Sequence, residues 1–314
     1  MGIRRARPSD KNMVLDFCKD TFEWGDYIDR TWNDWISDTS GLLLIFETHS
    51  FRTKPQRNPI GMIHVIKCAS NILWLEGLRV NKFYRNKGIA TELVKYGINY
   101  GSKNGIREFG ALVSKSNFAS RKMLEKMGFS QLFDCKYYNV NFEKLSMHDK
   151  FLIESITAFS TNLSIKIPDL NDLSNIQRYL QNNKSRVNSD KYFNSWRFYD
   201  LDSSYSSLFS LIQNKELLVI VNQISEIVSV VIIKSMSKKI DNLYDKSTIQ
   251  ISYLHCFDLS IFFKLIHLLI DKYFDNYSLN NIYLLLPVFA NLEKILNQES
   301  IESFDTFCLY SKNM

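Results

Sequence analysis

From Trp74 to Leu93 the chain reads W-L-E-G-L-R-V-N-K-F-Y-R-N-K-G-I-A-T-E-L. An extended run enters the loop Arg85-x-x-Gly88-x-Ala90, and a helix opens directly after it. These types and this spacing suit capture of a phosphate-bearing anion. Backbone amides of Asn86, Lys87, Gly88, Ile89, Ala90 and Thr91 would converge at the helix N-terminus, where aligned peptide dipoles supply about half a positive charge. Gly88 allows close backbone approach, Ala90 leaves room for a pyrophosphate, and Arg85 and Lys87 add charge nearby. Taken alone, Gly-Ile-Ala at a helix start is equally a plain turn. A second signature follows, Asn117-x-x-Ser120-x-x-Met123-x-x-x-x-Gly128-Phe129, in which Asn117 reads either as a ligand-facing amide or as an N-cap. Glu76, at the strand parity of Trp74 and Leu78, is a candidate general base, with pairing to Arg79 or ordering of a loop as its competing role.

The elements that must position these residues can be read from periodicity. A strand at 1–7 leads through Pro8-Ser9-Asp10 into a helix over 11–22, and a second helix spans 27–36 with Trp32 and Trp35 on one face. Strands are expected at 42–47, 60–67 and 72–80, then a helix from Gly88 to about Gly101, a strand at 108–113 and a helix over 118–127. Residues 129–142 read as a closing hairpin of two strands. The second half repeats the order: strand 163–167, a helix to about Gln181, strands 217–222, 227–234 and 248–256, helix 259–274, strand 282–286, helix 291–298 and strand 304–310. All eleven glycines lie at or before Gly128. Because a backbone anion cradle depends on glycine, only the first half is expected to hold a nucleotide-like cofactor.

The two signatures, in this order of elements, resemble the cofactor motifs of the GCN5-related N-acetyltransferase (GNAT) family over about residues 1–142. The resemblance implies an α/β (α+β) fold of tandem GNAT-like domains, each a mixed, mostly antiparallel sheet flanked by helices. These are a catalytic domain over 1–145 and a degenerate one over 146–314 that packs on the first and helps shape the acceptor pocket. It also implies acetyl-CoA as co-substrate. The amides of the Arg85–Thr91 loop would take its pyrophosphate, backbone groups of Leu78, Arg79 and Val80 would hold pantetheine like an added strand, and Asn117, beside Ser120, would bond the pantetheine arm. Many members place a tyrosine acid seven residues after the asparagine, where this chain has Leu124. Tyr84, Tyr137, Tyr138 or water would then do that work, or it is unnecessary. Trp24, Asp26 and Tyr27 lie where the family places its acceptor loop: Asp26 for an ammonium, Tyr27 for a carboxylate or carbonyl. Trp32 and Trp35 would wall a pocket, or else belong to the core. The combination W-G-D-Y-x4-W-x2-W with E-G-L-R-V is similar to the histidine N-acetyltransferase-like subgroup, which implies a small amino acid or amine as acceptor.

Composition narrows the remaining classes. With 314 residues, two domains are the natural expectation. Hydrophobic residues at 45% and charged residues at 23% are those of a globular chain. A net charge of +6, with acidic and basic residues intermixed, suits an anionic cofactor but not a nucleic-acid surface. The five scattered cysteines form no C-x-x-C pair and read as reduced, buried thiols. The five histidines show no metal-ligand spacing, so no metal is expected. The start, MGIRRARPSD, lacks a signal-peptide core, and polar residues break the late apolar stretches, so a cytoplasmic enzyme with no membrane partner is expected. No G-x-S-x-G elbow or Cys–His nucleophile is evident, which favours direct transfer in a ternary complex. Acetylation of a peptide N-terminus and a non-catalytic acyl-CoA sensor are the alternatives. Oligomeric state is not legible.

Overall fold

The computed structural model describes residues 2–23, 25–50, 56–68, 71–141, 162–183, 191–194, 196–201, 205–235, 238–240, 243–245, 248–255, 281–287 and 302–314, with parts of 261–269. Two compact units emerge. The first comprises Met1–Val113, Asn117–Leu132 and Leu309–Met314, and the second Ser114–Ser116 and Phe133–Cys308. The last six residues of the chain thus belong to the first unit.

The first unit is built on β1 (Gly2–Arg5), β2 (Gly41–Ser50), β3 (Gln56–Cys68), β4 (Ile72–Val80) and β5 (Glu108–Ser114), in that order across the sheet. Neighbours are antiparallel except β4 and β5, which run parallel. Helices α1 (Lys11–Cys18) and α2 (Ile28–Ser37) cover one face. Val14, Cys18, Ile28, Trp32 and Trp35 pack there against Leu43, Ile45 and Met62. Helix α3 (Ile89–Lys103) covers the other face, its Gly97 closing on Val65 and Leu75. Trp32 is a core residue, 1% exposed, rather than a pocket wall. Helix α4 (Phe118–Lys126) completes the unit with Leu309–Met314, where the Met314 amide donates to the Arg107 carbonyl at 2.9 Å.

An ion cluster fixes the start of the chain. Arg4 reaches Asp10 at 2.7 Å and Glu47 at 2.6 Å. Burial opposes ionisation of Asp10, but the bonds from Arg4 and from the Arg7 amide outweigh it and hold its pKa below the ordinary carboxylate value. The stabilisation is therefore complete above the unfolded-state pKa and lost as pH falls through the lower folded one. Asp10→Ala is expected to cost about 3 kcal/mol at neutral pH. The gap in melting temperature from the parent should narrow as pH falls below the ordinary carboxylate range; a gap that does not change on acidification would contradict this.

The second unit repeats the plan with β6 (Ser130–Asn141), β7 (Ser164–Lys166), β10 (Leu217–Val221), β11 (Ile227–Ser235), β14 (Thr248–His255) and β15 (Asn281–Pro287). Its order is β6-β15-β14-β11-β10-β7, with β14 and β15 the parallel pair. Helix α5 (Leu173–Asn182) and helix α6 (Tyr205–Gln213) pack through Leu173, Ile176, Leu208 and Leu211 onto Leu217 and Val219. The hairpin of β8 (Lys191–Asn194) and β9 (Arg197–Asp200) and the pair β12 (Lys238–Ile240) and β13 (Leu243–Asp245) were not foreseen. The chain closes with β16 (Glu302–Asn313). Each unit thus carries one parallel pair in an otherwise antiparallel order of strands.

One expectation fails clearly. Residues 129–142 were expected to form a hairpin, yet 130–141 are one continuous strand, whose partner from Cys135 to Asn141 is β15. The segment holds neither glycine nor proline to make a tight turn. The expected helix at 291–298 lies outside the described residues, as does most of the one at 259–274. No helix among the described residues is long and apolar enough to cross a membrane. Cys18, Cys68, Cys135 and Cys308 are buried free thiols.

Candidate active site

The site begins where β4 and β5 part. They pair only through Ile72↔Glu108, Leu73↔Phe109 and Trp74↔Gly110, after which β4 continues to Val80 paired with β3. The β5 side of Leu75–Val80 is left as a strand edge among the described residues. Within the same stretch β4 carries a bulge: Met62 faces Arg79 while His64 faces Glu76, so Gly77 and Leu78 of β4 lie opposite the single residue Ile63 of β3. Gly77 sits in it at φ +61°, where a Cβ would lie 2.5 Å from the Trp35 ring. Both the backbone angle and the space therefore demand glycine.

The bulge corrects the parity read from sequence. Strict alternation places Leu78 on the face of Glu76, but the extra residue moves Arg79 there instead. The face turned towards α2 therefore presents Glu76 and Arg79. The partner shown for Arg79 is Asp26, which binds its guanidinium at 2.7 and 3.1 Å. Arg79 also lies 5.2 Å from the Phe22 ring centre and 5.1 Å from that of Tyr27. Burial opposes its charge, yet the Asp26 bond prevails and its pKa is raised. The Asp26 side chain is 4% exposed and committed to this pair, so it is not placed as a ready ammonium ligand. Tyr27 packs edge-on to Trp35, and burial raises its phenol pKa. Trp24 lies outside the described residues.

Glu76 is held from β3. His64 Nδ1 lies 2.8 Å from Glu76 Oε1, with the imidazole fully buried and stacked on Trp35 at 4.6 Å. Nothing in the motifs pointed to His64. Its only signal is a polar residue alternating with Met62 and Ile66 inside the apolar run I-G-M-I-H-V-I.

The loop after β4 has the form expected of it. Asn86 and Gly88 adopt φ +60° and +80°, and Gly88 caps α3 without any side-chain bond to the first-turn amides. The first-turn N–H groups of a helix have no carbonyl within it to donate to. Space around a Gly88 Cβ is open within 4 Å. Ile89 is buried against Gly61, so only its backbone faces the loop. Arg85 Nε bonds the Val80 carbonyl at 3.3 Å, Arg79 Nη1 bonds that of Leu78 at 3.1 Å, and Lys87 lies 5.0 Å from the Tyr84 ring centre. Asn117 Oδ1 accepts the Ser120 amide at 3.1 Å and so acts as the N-cap of α4.

Between α3 and α4 runs a groove of about 680 Å³. Asn86 and Thr91 line its loop end, and Lys95, Lys122, Lys126 and Lys312 its flanks. Lys312 also donates to the Met127 carbonyl at 2.6 Å. The lysines that α3 and α4 bring to the groove were not anticipated, although Lys122 and Lys126 show the i, i+4 spacing of one helix face. Lys312 had no signal in the sequence. Leu124, at the expected tyrosine position, is buried, and Tyr138 is buried in the apolar core of the second unit. Tyr137, also in that unit, stacks on Tyr283, and burial raises its phenol pKa.

Residues 11–129 match the family described as the acetyltransferase (GNAT) family. No curated protein gives a significant match to the sequence. Among solved structures, a GCN5-related N-acetyltransferase from Sphaerobacter thermophilus aligns with TM-score 0.63 at 11% identity, covering 99% of this chain and 95% of its own. A tandem GNAT protein from the clavulanic acid biosynthesis pathway aligns with TM-score 0.55 at 9% identity, covering 99% and 98%. At such identities the likeness is one of fold. Residues 11–129 are thus similar to the acetyltransferase (GNAT) family, in a chain whose fold is similar to that of tandem GNAT proteins.

Proposed function

We propose that the protein moves an acetyl group from acetyl-CoA to the amine of a small molecule, an amino acid or related amine, by direct attack in a ternary complex. One juxtaposition carries this reading. The β4 edge from Leu75 to Val80 runs into the uncapped N-terminus of α3, and Glu76 projects beside the point where β4 leaves β5. Bound acetyl-CoA would supply the acetyl thioester as electrophile. Amides of the Arg85–Thr91 loop would take its pyrophosphate, Leu78 and Val80 would offer strand-like bonds to its pantetheine, and the lysine groove would neutralise its remaining phosphate. Glu76 would accept the ammonium proton of the acceptor, so that a neutral amine attacks. Its side chain is only 13% exposed and lies among His64, Trp35 and Tyr27. A recessed carboxylate of this kind is reached more readily by a small amine than by a folded protein surface.

The test is thiol release from acetyl-CoA against free amino acids (histidine included), polyamines and short peptides. Release with one small amine supports the proposal. Release with peptides alone would replace it with N-terminal peptide acetylation. Tight CoA binding without release from any acceptor would replace it with a sensor. The double substitution Lys122→Glu, Lys126→Glu is expected to raise KM for acetyl-CoA about tenfold, with a steeper loss at low salt than at high. An unchanged KM would remove the groove from the cofactor site.

A further inference from the structure

We infer that His64 is a positioning residue for Glu76: a neutral imidazole that donates from Nδ1 and holds the carboxylate ionised and aimed. This rests on the reading of Glu76 as the base. The two residues face each other in the β3–β4 register immediately before the bulge at Gly77, and Nδ1 lies 2.8 Å from Oε1. The imidazole has no exposure, Trp35 covers one ring face in parallel, and Nε2 has no hydrogen-bond partner. At Gly41 a Cβ would lie 2.6 Å from Nε2, so the ring fills its slot completely.

The unpartnered Nε2 decides the protonation state. An imidazolium, or a neutral ring protonated at Nε2, would bury an N–H with nothing to accept it, and the latter would also turn a lone pair on Nδ1 towards the carboxylate oxygen. The Nδ1–H form leaves only a lone pair unsatisfied and makes the bond to Glu76. That bond stabilises the charged carboxylate and fixes its direction. Other ionisable groups bear on the pair from each packed element. They are Tyr27 before α2, Arg79 on β4 with its partner Asp26, and Asp38, whose Oδ2 is 3.1 Å from a Cβ placed at Gly41. Arg79 is paired with Asp26, and His64 Nδ1 lies at hydrogen-bonding distance from Glu76 Oε1.

Three variants of the full chain test this. His64→Asn can place an amide N–H where Nδ1 stands, His64→Leu cannot, and Glu76→Gln removes the base. Long-range ¹H–¹⁵N spectra of histidine-labelled protein at pH 8 should show the His64 proton on Nδ1. An imidazolium, or the Nε2–H tautomer, would overturn the inference without any reference to turnover. With the amine that supports thiol release, His64→Leu should move the acid limb of kcat/KM up by about one pH unit. His64→Asn should restore that limb to the parent position with an unchanged spectrum for the other histidines. An acid limb unmoved in His64→Leu while Glu76→Gln is inactive would sink the role of His64 and keep that of Glu76. Full turnover in Glu76→Gln would sink the base, and a conserved Nδ1–H tautomer would then stand as a purely structural bond. If His64→Leu does not fold, the tautomer and the Asn variant still decide.

Discussion

Gly88→Glu is expected to raise the Kd for acetyl-CoA at least about 100-fold, because two independent effects act on the same atoms. A side chain at φ +80° pays about 1–2 kcal/mol of backbone strain or moves the loop out of that angle. The new carboxylate would also sit at the α3 N-terminus, which no side chain now caps, and would take the amides meant for a phosphate. Since nothing lies within 4 Å of a Cβ there, the fold itself should survive, with a melting temperature within a few degrees of the parent. Titration calorimetry with acetyl-CoA reads the effect. A Kd within threefold of the parent would remove this loop from the cofactor site.

Glu76→Gln should lower kcat about 10²- to 10³-fold while CoA affinity stays unchanged. The amide matches the carboxylate in shape and its oxygen can still accept from His64 Nδ1, so the pocket should persist. Only the capacity to take a proton is lost. The separation of the two variants is informative: one should remove binding with the base intact, the other the base with binding intact. Turnover of Glu76→Gln within threefold of the parent, at saturating acetyl-CoA, would leave deprotonation to water or to another group.

The local parts of this site were legible in the sequence. The strand limits of β4 match the expected 72–80, α3 starts one residue after Gly88, and α4 starts directly after Asn117. These features depend on residues within one turn or one strand of each other, and the physics that sets them is equally local: positive φ, helix capping and alternating burial. The resemblance carried by Arg85–Ala90 and Asn117–Phe129 agrees with the family match over residues 11–129, and the topological repeat could be read from the order of elements alone.

What the sequence could not determine is whatever depends on register between strands and on which distant segment fills a gap. A single bulge residue, Gly77, turns Arg79 rather than Leu78 to the face of Glu76, and no count along the strand reveals that. The pairing of Asp26 with Arg79 follows from that turn, and it withdraws Asp26 from the acceptor role that its chemistry suggested. His64 becomes the neighbour of Glu76 through β3–β4 pairing, and Trp35 becomes its stacking partner through the seating of α2 on the sheet. Lys312 reaches the groove because Leu309–Met314 complete the first unit, although the sequence places them at the far end of the second half. Local propensity fixes where strands and helices begin; the burial of apolar faces and the satisfaction of strand edges decide which of them meet, and those conditions are met only by the folded chain as a whole.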